Sequence, residues 1–135
     1  MTAHRPVILV VEDHPIIRME ALDIIRSAGF EGLEAEGADQ AIFIMSARYD
    51  VRLVFTDVRM PGSMDGIKLA HYIRRRWPSV ELIVASGDAT VSEKQLPIGA
   101  RFFLKPYRES TLAQAMIDLL ADDDDTRSPA HRRRA

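Results

Sequence analysis

The chain has 135 residues, a formal net charge of −2 and a hydrophobic fraction of 47%, so we expect one globular domain with a buried core. The small net charge gives no reason to expect a nucleic-acid or membrane surface. The absence of cysteine excludes disulfides, thiolate metal sites and a cysteine nucleophile. The apolar runs are too short to span a bilayer, and the N-terminus has no signal-peptide core. Together with the lack of cysteine, these features predict a cytoplasmic protein.

The first predicted strand is Val7–Val11, a continuous apolar run that is typical of a central parallel strand covered on both faces. Residues 12–15 end this strand, and Pro15 suits the first turn of a helix because its missing N–H is not needed there. Apolar residues within 17–28 recur at helical spacing, and Gly29 marks the end of that helix.

The second and third strands differ in character. A weaker, alternating strand near Gly32–Ala35 contains a glutamate and is predicted to lie at a sheet edge. Asp39 is predicted to cap a helix that runs to about residue 47. The third strand is Leu53–Thr56, and Asp57 stands at its carboxyl end.

A loop containing glycine and proline, at residues 61–63, leads to a predicted helix over about residues 65–76. The fourth strand is Val80–Ala85, and Ser86-Gly87 follows it. The segment around residues 91–96 predicts at most a short helix, because a proline and a glycine follow closely.

The last predicted elements are the strand Phe102–Leu104, then Lys105-Pro106, then an amphipathic helix within residues 112–120. Residues 1–121 are assigned to one domain, and the highly charged residues 122–135 are predicted to form a disordered tail. Five β-α units with short connections predict an α/β fold with parallel strands, right-handed crossovers and helices on both faces.

Polar residues follow the carboxyl ends of four predicted strands, where open parallel sheets bind ligands. They are Glu12, Asp13, Asp57, Ser86 and Lys105. Crowded carboxylates repel one another, and a magnesium (or manganese) ion with its preference for oxygen ligands relieves that repulsion. A carboxylate can also attack phosphorus to give an aspartyl phosphate, with the ammonium and hydroxyl groups binding the phosphoryl oxygens.

This set of residues, with Thr56–Pro61, Met64–Gly66 and Lys105-Pro106, resembles the receiver domains of two-component response regulators over residues 6–121. No single motif identifies the family. The combination is specific, because the motifs occur in order and each lies at the end of a predicted strand. The resemblance implies a flavodoxin-like, doubly wound (βα)5 sheet with strand order 2-1-3-4-5.

The resemblance also implies roles for the site residues. Asp57 would be the phospho-acceptor and Lys105 the lysine that pairs with the phosphate. Glu12, Asp13 and Asp57 would supply the metal carboxylates, and the backbone carbonyl of Arg59 would complete the protein ligands.

Two further residues match the family's switch positions: Ser86 as the switch hydroxyl and Phe102 as the aromatic switch. The chain departs from the family at three places. The loop at residues 61–66 is one residue longer than the common form, Phe102 replaces the frequent tyrosine, and the fourth helix is short.

The function implied is a stand-alone, phosphorylation-dependent switch rather than an enzyme. It would take a phosphoryl group from phosphohistidine of a histidine kinase or histidine phosphotransfer protein and signal by contact with an unknown downstream protein, as a monomer or weak homodimer. A phosphate shuttle or sink and a non-phosphorylated pseudo-receiver are the alternatives within the family.

Other classes of protein fit less well. A metal-dependent phosphatase with an aspartate nucleophile usually has a second acid two residues later, where this chain has Arg59. A flavodoxin-like cofactor binder needs a phosphate-binding loop after the first strand, where this chain has Glu12-Asp13. Taken singly, each of these polar residues has an ordinary structural explanation, as a turn, cap or surface residue.

Overall fold

The computed structural model describes residues 5–124, the last three as backbone only. One parallel sheet forms its centre, with strand order β2-β1-β3-β4-β5. The strands are β1 (Val7–Val11), β2 (Glu31–Ala35), β3 (Val51–Asp57), β4 (Glu81–Ser86) and β5 (Arg101–Leu104). The helices are α1 (Pro15–Ser27), α2 (Ala38–Ala47), α3 (Gly66–Arg76) and α4 (Glu109–Asp124). The predicted doubly wound fold and strand order are confirmed.

Two hydrophobic layers cover the sheet, because side chains alternate between its faces along each strand. Leu9, Val54 and Val84 point to the layer formed with α2 and α3. Ile8 and Ile83 point to the layer formed with α1 and α4. All five residues of β1 are buried, which explains its uninterrupted apolar sequence.

The ends of α1 follow the predicted signals. Pro15 is its first residue, and the Nδ1 atom of His14 accepts hydrogen bonds from the backbone N–H groups of Ile16 and Ile17, at 3.2 and 3.4 Å. Gly29 follows the helix with φ of 96°, a conformation that favours glycine. The imidazole of His14 therefore caps the helix.

The predicted cap of α2 is wrong. Gly37 is the N-cap residue, and Asp39 lies inside the first turn. Glycine is itself acceptable at an N-cap, and a carboxylate in the first turn is favoured by the helix dipole. The Asp39 carboxylate instead accepts a hydrogen bond from the Ser63 hydroxyl at 2.7 Å, which ties the long loop before α3 to α2.

The short helix that the sequence predicts between β4 and β5 is a 3₁₀ helix at Glu93–Gln95. Side chains of α3 hold this segment and its surroundings: the Nε2 atom of His71 lies 2.8 Å from the carbonyl oxygen of Gln95. Arg74 donates to the carbonyl oxygens of Pro78 and Val80, at 3.0 and 3.1 Å. His71 thus ties the 3₁₀ segment to α3, and Arg74 holds the turn between α3 and β4.

Helix α4 continues to Asp124, so residues 122–124 are helical in backbone although the sequence assigns them to the tail. The remaining tail, residues 125–135, lies outside the described residues, and the domain boundary stays a prediction. Among the helices that the structure describes, none is long and apolar enough to cross a bilayer.

Gly66 is the glycine on which the packing of α3 depends most directly. A Cβ atom at this position would overlap the carbonyl group of Asp57 and approach the Cα atom of Val58 at 2.9 Å. The Gly66 N–H donates to the carbonyl oxygen of Val58 at 2.8 Å, so the close approach is part of the fold.

We expect Gly66→Ala to lower the free energy of unfolding by about 3 kcal/mol, the upper range for overpacking, because the obstacle is backbone. Urea unfolding followed by circular dichroism measures this. Gly87→Ala is the matched control, since a Cβ there meets nothing within 4 Å, and it should change stability by less than about 0.5 kcal/mol. Equal stability of the two variants would contradict the close contact at Gly66.

Candidate functional site

The candidate site lies at the carboxyl ends of β1 and β3. The chain leaves β1 towards β2 on one side and returns to β3 on the other, so the helices that follow these two strands lie on opposite faces. A crevice opens outside the strand ends at such a point of reversal. Glu12 and Asp13 follow β1 directly, and Asp57 is the last residue of β3.

Three carboxylates converge there. Oxygen atoms of Glu12, Asp13 and Asp57 lie within 4.8 Å of one another. Glu12 is buried at 6% exposure, whereas Asp13 is exposed. An all-oxygen donor set that is open on one side suits magnesium, which prefers hard oxygen ligands and retains water molecules. The residues present therefore fit the predicted metal.

Lys105 supplies the opposite charge. Its Nζ atom lies 3.1 Å from Oδ1 of Asp57 and 3.8 Å from Oε1 of Glu12. The backbone N–H of Lys105 donates to the carbonyl oxygen of Ser86 at 2.8 Å, and the following bond to Pro106 is cis. The predicted grouping of acids and lysine is thus brought together from three strands.

Burial raises the pKa of the Glu12 carboxyl, and the charges of Asp57 and Asp13 raise it further. The backbone N–H of His14, which donates to Oε2 of Glu12 at 3.1 Å, and the ammonium of Lys105 act against this rise. Desolvation of the charged carboxylate is the largest of these effects. A cation bound beside Glu12 would therefore stabilise its charged form.

Ser86 is 1% exposed and ends β4 beside the acids. Its hydroxyl oxygen accepts a hydrogen bond from the backbone N–H of Asp88 at 3.0 Å. In the register of the sheet, Ser86 pairs with Leu104, and Phe102 pairs with the residue two positions before Ser86. Since alternate residues share a face, Phe102 lies on the same face of the sheet as Ser86, while Phe103 belongs to the opposite layer.

Arg59 is exposed in the loop that follows β3. It lines two open pockets, one bordered by Asp13 and Asp65 and the other by Asp57, Ser86 and Lys105. The predicted coordination by its backbone carbonyl stays a prediction.

The sequence did not single out three residues that contact the site. Arg18 donates to the Glu12 carbonyl oxygen at 2.8 Å. Thr56, which is fully buried, donates from its hydroxyl to the carbonyl oxygen of Asp57 at 2.9 Å. Tyr107 lines the same pocket as Glu12 and Asp57, and burial, aided by these charges, raises its pKa to about 12. Two of these residues had a signal in the sequence. Tyr107 lies two residues after Lys105, and Arg18 lies one turn into the helix that follows the acidic pair.

Comparisons with known proteins agree with this geometry. A family model described as the response regulator receiver domain matches residues 8–117. The response regulator protein FleR of Pseudomonas aeruginosa is 32% identical over 117 residues, which cover 84% of this chain and 24% of FleR. The chain thus spans about a quarter of the length of curated relatives such as FleR.

Solved structures give the same result. The receiver domain from the hybrid histidine kinase CckA is 30% identical, with a TM-score of 0.71, and the match covers 84% of this chain and 98% of that chain. The response regulator protein TrrA from Thermotoga maritima, solved in complex with Mg2+-BeF, is 24% identical, with a TM-score of 0.74 over 84% and 98% of the two chains. This second likeness concerns the fold alone.

The raised pKa of Glu12 has a consequence for stability. An acid whose pKa is higher in the folded chain than in the unfolded chain contributes most to stability below its ordinary pKa, here 4.5. That contribution is lost as the pH rises through the raised value. Without divalent ions, Glu12→Gln should therefore be more stable than the wild type at neutral pH, and the difference should shrink as the pH falls through the raised pKa towards 4.5.

Urea unfolding in EDTA across this pH range measures the effect. Glu36→Gln, at an exposed position, is the control and should follow the wild type. A Glu12→Gln variant that is less stable than the wild type at neutral pH would contradict the assigned cause.

Proposed function

The chain belongs to the receiver-domain family of response regulators, and on that premise we propose that it is a phosphorylation-dependent signalling switch whose phosphoryl acceptor is Asp57. Members of this family are signalling modules of two-component systems rather than conventional enzymes. The observation that carries the proposal is the placement of the Asp57 carboxylate 3.1 Å from the Lys105 ammonium and beside two further acids.

Asp57 is the best placed of the three acids to act as the nucleophile. It lies between Lys105 and the acidic pair, with its side chain 13% exposed, so one oxygen can face a donor while the other faces a cation. An oxygen of Asp57 forms a bond to phosphorus as the bond from phosphorus to the histidine nitrogen breaks. The electron pair of that bond stays on the imidazole nitrogen.

Glu12, Asp13 and Asp57 would hold a magnesium ion, with the Arg59 carbonyl as the further ligand. When bound, the ion supplies positive charge that stabilises the charge on the transferring phosphoryl oxygens. The support for this ion is the oxygen donor set of the chain itself; TrrA was solved with Mg2+ and BeF, and the same class of ion is proposed here.

Lys105 contributes a second positive charge. Its ammonium is already directed at Asp57, so a phosphoryl oxygen on that residue would gain a charge-assisted hydrogen bond with little rearrangement. The Ser86 hydroxyl could donate to another phosphoryl oxygen if it turned away from the N–H of Asp88, to which it is now an acceptor.

Movement of Ser86 would affect Phe102, because the two residues share one face of the sheet. Phe102 is partly buried against the layer formed with α2 and α3. We propose that an inward turn of this ring accompanies phosphorylation and that phosphorylation shifts the populations of two pre-existing shapes. The surface around β5 and α4 would then differ between the two shapes and would be read by another protein.

The proposed phosphoryl donor is the phosphohistidine of a histidine kinase or a histidine phosphotransfer protein. The proposed output is contact with a downstream protein, with the domain as a monomer or weak homodimer. A cytoplasmic location is part of this proposal, because the kinases that form phosphohistidine use ATP.

We expect incubation with acetyl phosphate and magnesium to add one phosphoryl group to the wild type and none to Asp57→Asn. The reason is that an amide cannot act as the nucleophile. Intact-protein mass spectrometry with and without magnesium measures the adduct. Asp118→Asn, which changes an aspartate on α4 whose partner is Gln114, should keep the adduct. An adduct that persists in Asp57→Asn would assign the nucleophile elsewhere.

For the switch, we expect phosphorylation to change the ring resonances of Phe102 in the wild type. In Ser86→Ala most of that change should be lost while the phosphoryl adduct on Asp57 still forms, because the hydroxyl that couples phosphate to the ring is missing. NMR with labelled phenylalanine, under excess acetyl phosphate, measures this. Ser46→Ala, at an exposed position on α2, is the control. An unchanged response in Ser86→Ala would refute the proposed coupling.

A further inference from the structure

Arg18 joins three elements next to the acidic pair. It lies on α1, one turn after the helix begins, and its side chain is 13% exposed. Its Nη1 atom donates to the Glu12 carbonyl oxygen at 2.8 Å and approaches the Asp13 carbonyl oxygen at 3.5 Å. Its Nε atom donates to Oε1 of Glu34 on β2 at 2.8 Å. The guanidinium group thus bridges α1, β2 and the backbone of two predicted metal ligands.

We propose that Arg18 is a positioning residue that holds the backbone of Glu12 and Asp13 in the conformation that binds a divalent cation. The inference rests on the proposed function in one respect, namely that these carboxylates bind a cation. It adds a residue that the family resemblance did not assign to the site.

The hydrogen bonds of residues 12–14 show how this positioning works. The Glu12 N–H donates to the Ala35 carbonyl oxygen at 3.0 Å, so β2 holds one side of this residue and Arg18 holds the other. The His14 N–H donates to the Glu12 carboxylate at 3.1 Å. Because peptide units are planar, fixing the carbonyl of Glu12 also fixes the N–H and the Cα position of Asp13. The second contact of Arg18, with the Asp13 carbonyl oxygen, restrains rotation about that Cα atom and so limits where the Asp13 side chain points.

Asp13 depends on this arrangement more than Glu12 does. Glu12 is buried and its carboxylate has the His14 N–H as a partner, whereas Asp13 is exposed. Packing therefore restrains the Asp13 carboxylate less than it restrains the Glu12 carboxylate. The direction of the Asp13 carboxylate depends more on the conformation of the backbone. Loss of the guanidinium contact should increase the freedom of this carboxylate, and ordering it again would weaken cation binding.

The ion pair of Arg18 is with Glu34, which is not one of the three site carboxylates and pairs with Val10 in the register of β1 and β2. Arg18 therefore acts through carbonyl oxygens, and it does not compete with a cation as Lys105 could.

The test compares the affinity for Mg2+ among five variants, by isothermal titration calorimetry, with Mn2+ electron paramagnetic resonance as a second readout. Arg18→Met removes the guanidinium, and Arg18→Lys keeps the charge but loses the planar fork. Glu34→Ala removes the anchor of that fork, and Glu34→Gln keeps an acceptor of the same shape. Arg26→Met, at an exposed position in the last turn of α1, is the matched control.

We expect Arg18→Met to weaken Mg2+ binding about tenfold, within the range for residues that support metal ligands. Arg18→Lys should recover part of this loss, Glu34→Ala should lose less than Arg18→Met, and Glu34→Gln and Arg26→Met should match the wild type.

Two results would overturn the inference: wild-type Mg2+ affinity in Arg18→Met, or an equal loss in Arg26→Met. Thermal unfolding checks that the variants fold, and if Arg18→Met does not, the difference between Glu34→Ala and Glu34→Gln decides. A wild type that binds Mg2+ but takes no phosphoryl group would refute the proposed function and leave the inference to be judged by affinity. A wild type that binds no Mg2+ would refute both.

Discussion

The crowding of three carboxylates at the carboxyl ends of β1 and β3 is the constraint to which the surrounding structure responds. Their oxygen atoms lie within 4.8 Å of one another, and one of the three side chains is buried. Negative charges so close together are unfavourable unless positive charge is near. Lys105 provides part of that charge, and the geometry leaves room for a cation to provide the rest.

Backbone contacts hold these acids together from several directions. The absence of a side chain at Gly66 lets α3 start against the carbonyl of Asp57. The Ala35 carbonyl and the Arg18 guanidinium hold Glu12 on its two sides. The backbone of Lys105 is bound to that of Ser86. A precise site therefore results from contacts between elements, and its chemistry would respond to changes in residues that bear no reactive group.

The segment between β4 and β5 connects this site to the rest of the surface. Ser86 stands at its start and Phe102 just past its end, on the same face of the sheet. With only a 3₁₀ turn in this segment, the contact of His71 of α3 with the carbonyl oxygen of Gln95 helps to hold it. Fewer packed apolar side chains are involved than in a full helix, and such segments are the ones that rearrange most readily.

The sequence by itself determined the β-α alternation, because buried parallel strands require uninterrupted apolar runs such as Val7–Val11. It also determined the grouping of acids and lysine, since the carboxyl ends of parallel strands meet at one edge. Strand order came from the family resemblance and was confirmed. These features depend on local pattern and on topology, and both are readable along the chain.

Only the tertiary structure decided the features that depend on contacts between distant residues. Helix α2 has Gly37 at its N-cap, so Asp39 lies inside the first turn, and its carboxylate binds Ser63 of the loop before α3. The position of Arg18 one turn into α1 indicates that it is near the acidic pair, but it does not show that the side chain reaches the carbonyl of Glu12. Hydrogen-bond partners of this kind depend on how whole helices and strands pack against one another. The spacing of residues along a single helix or strand does not encode the distance between residues on different elements.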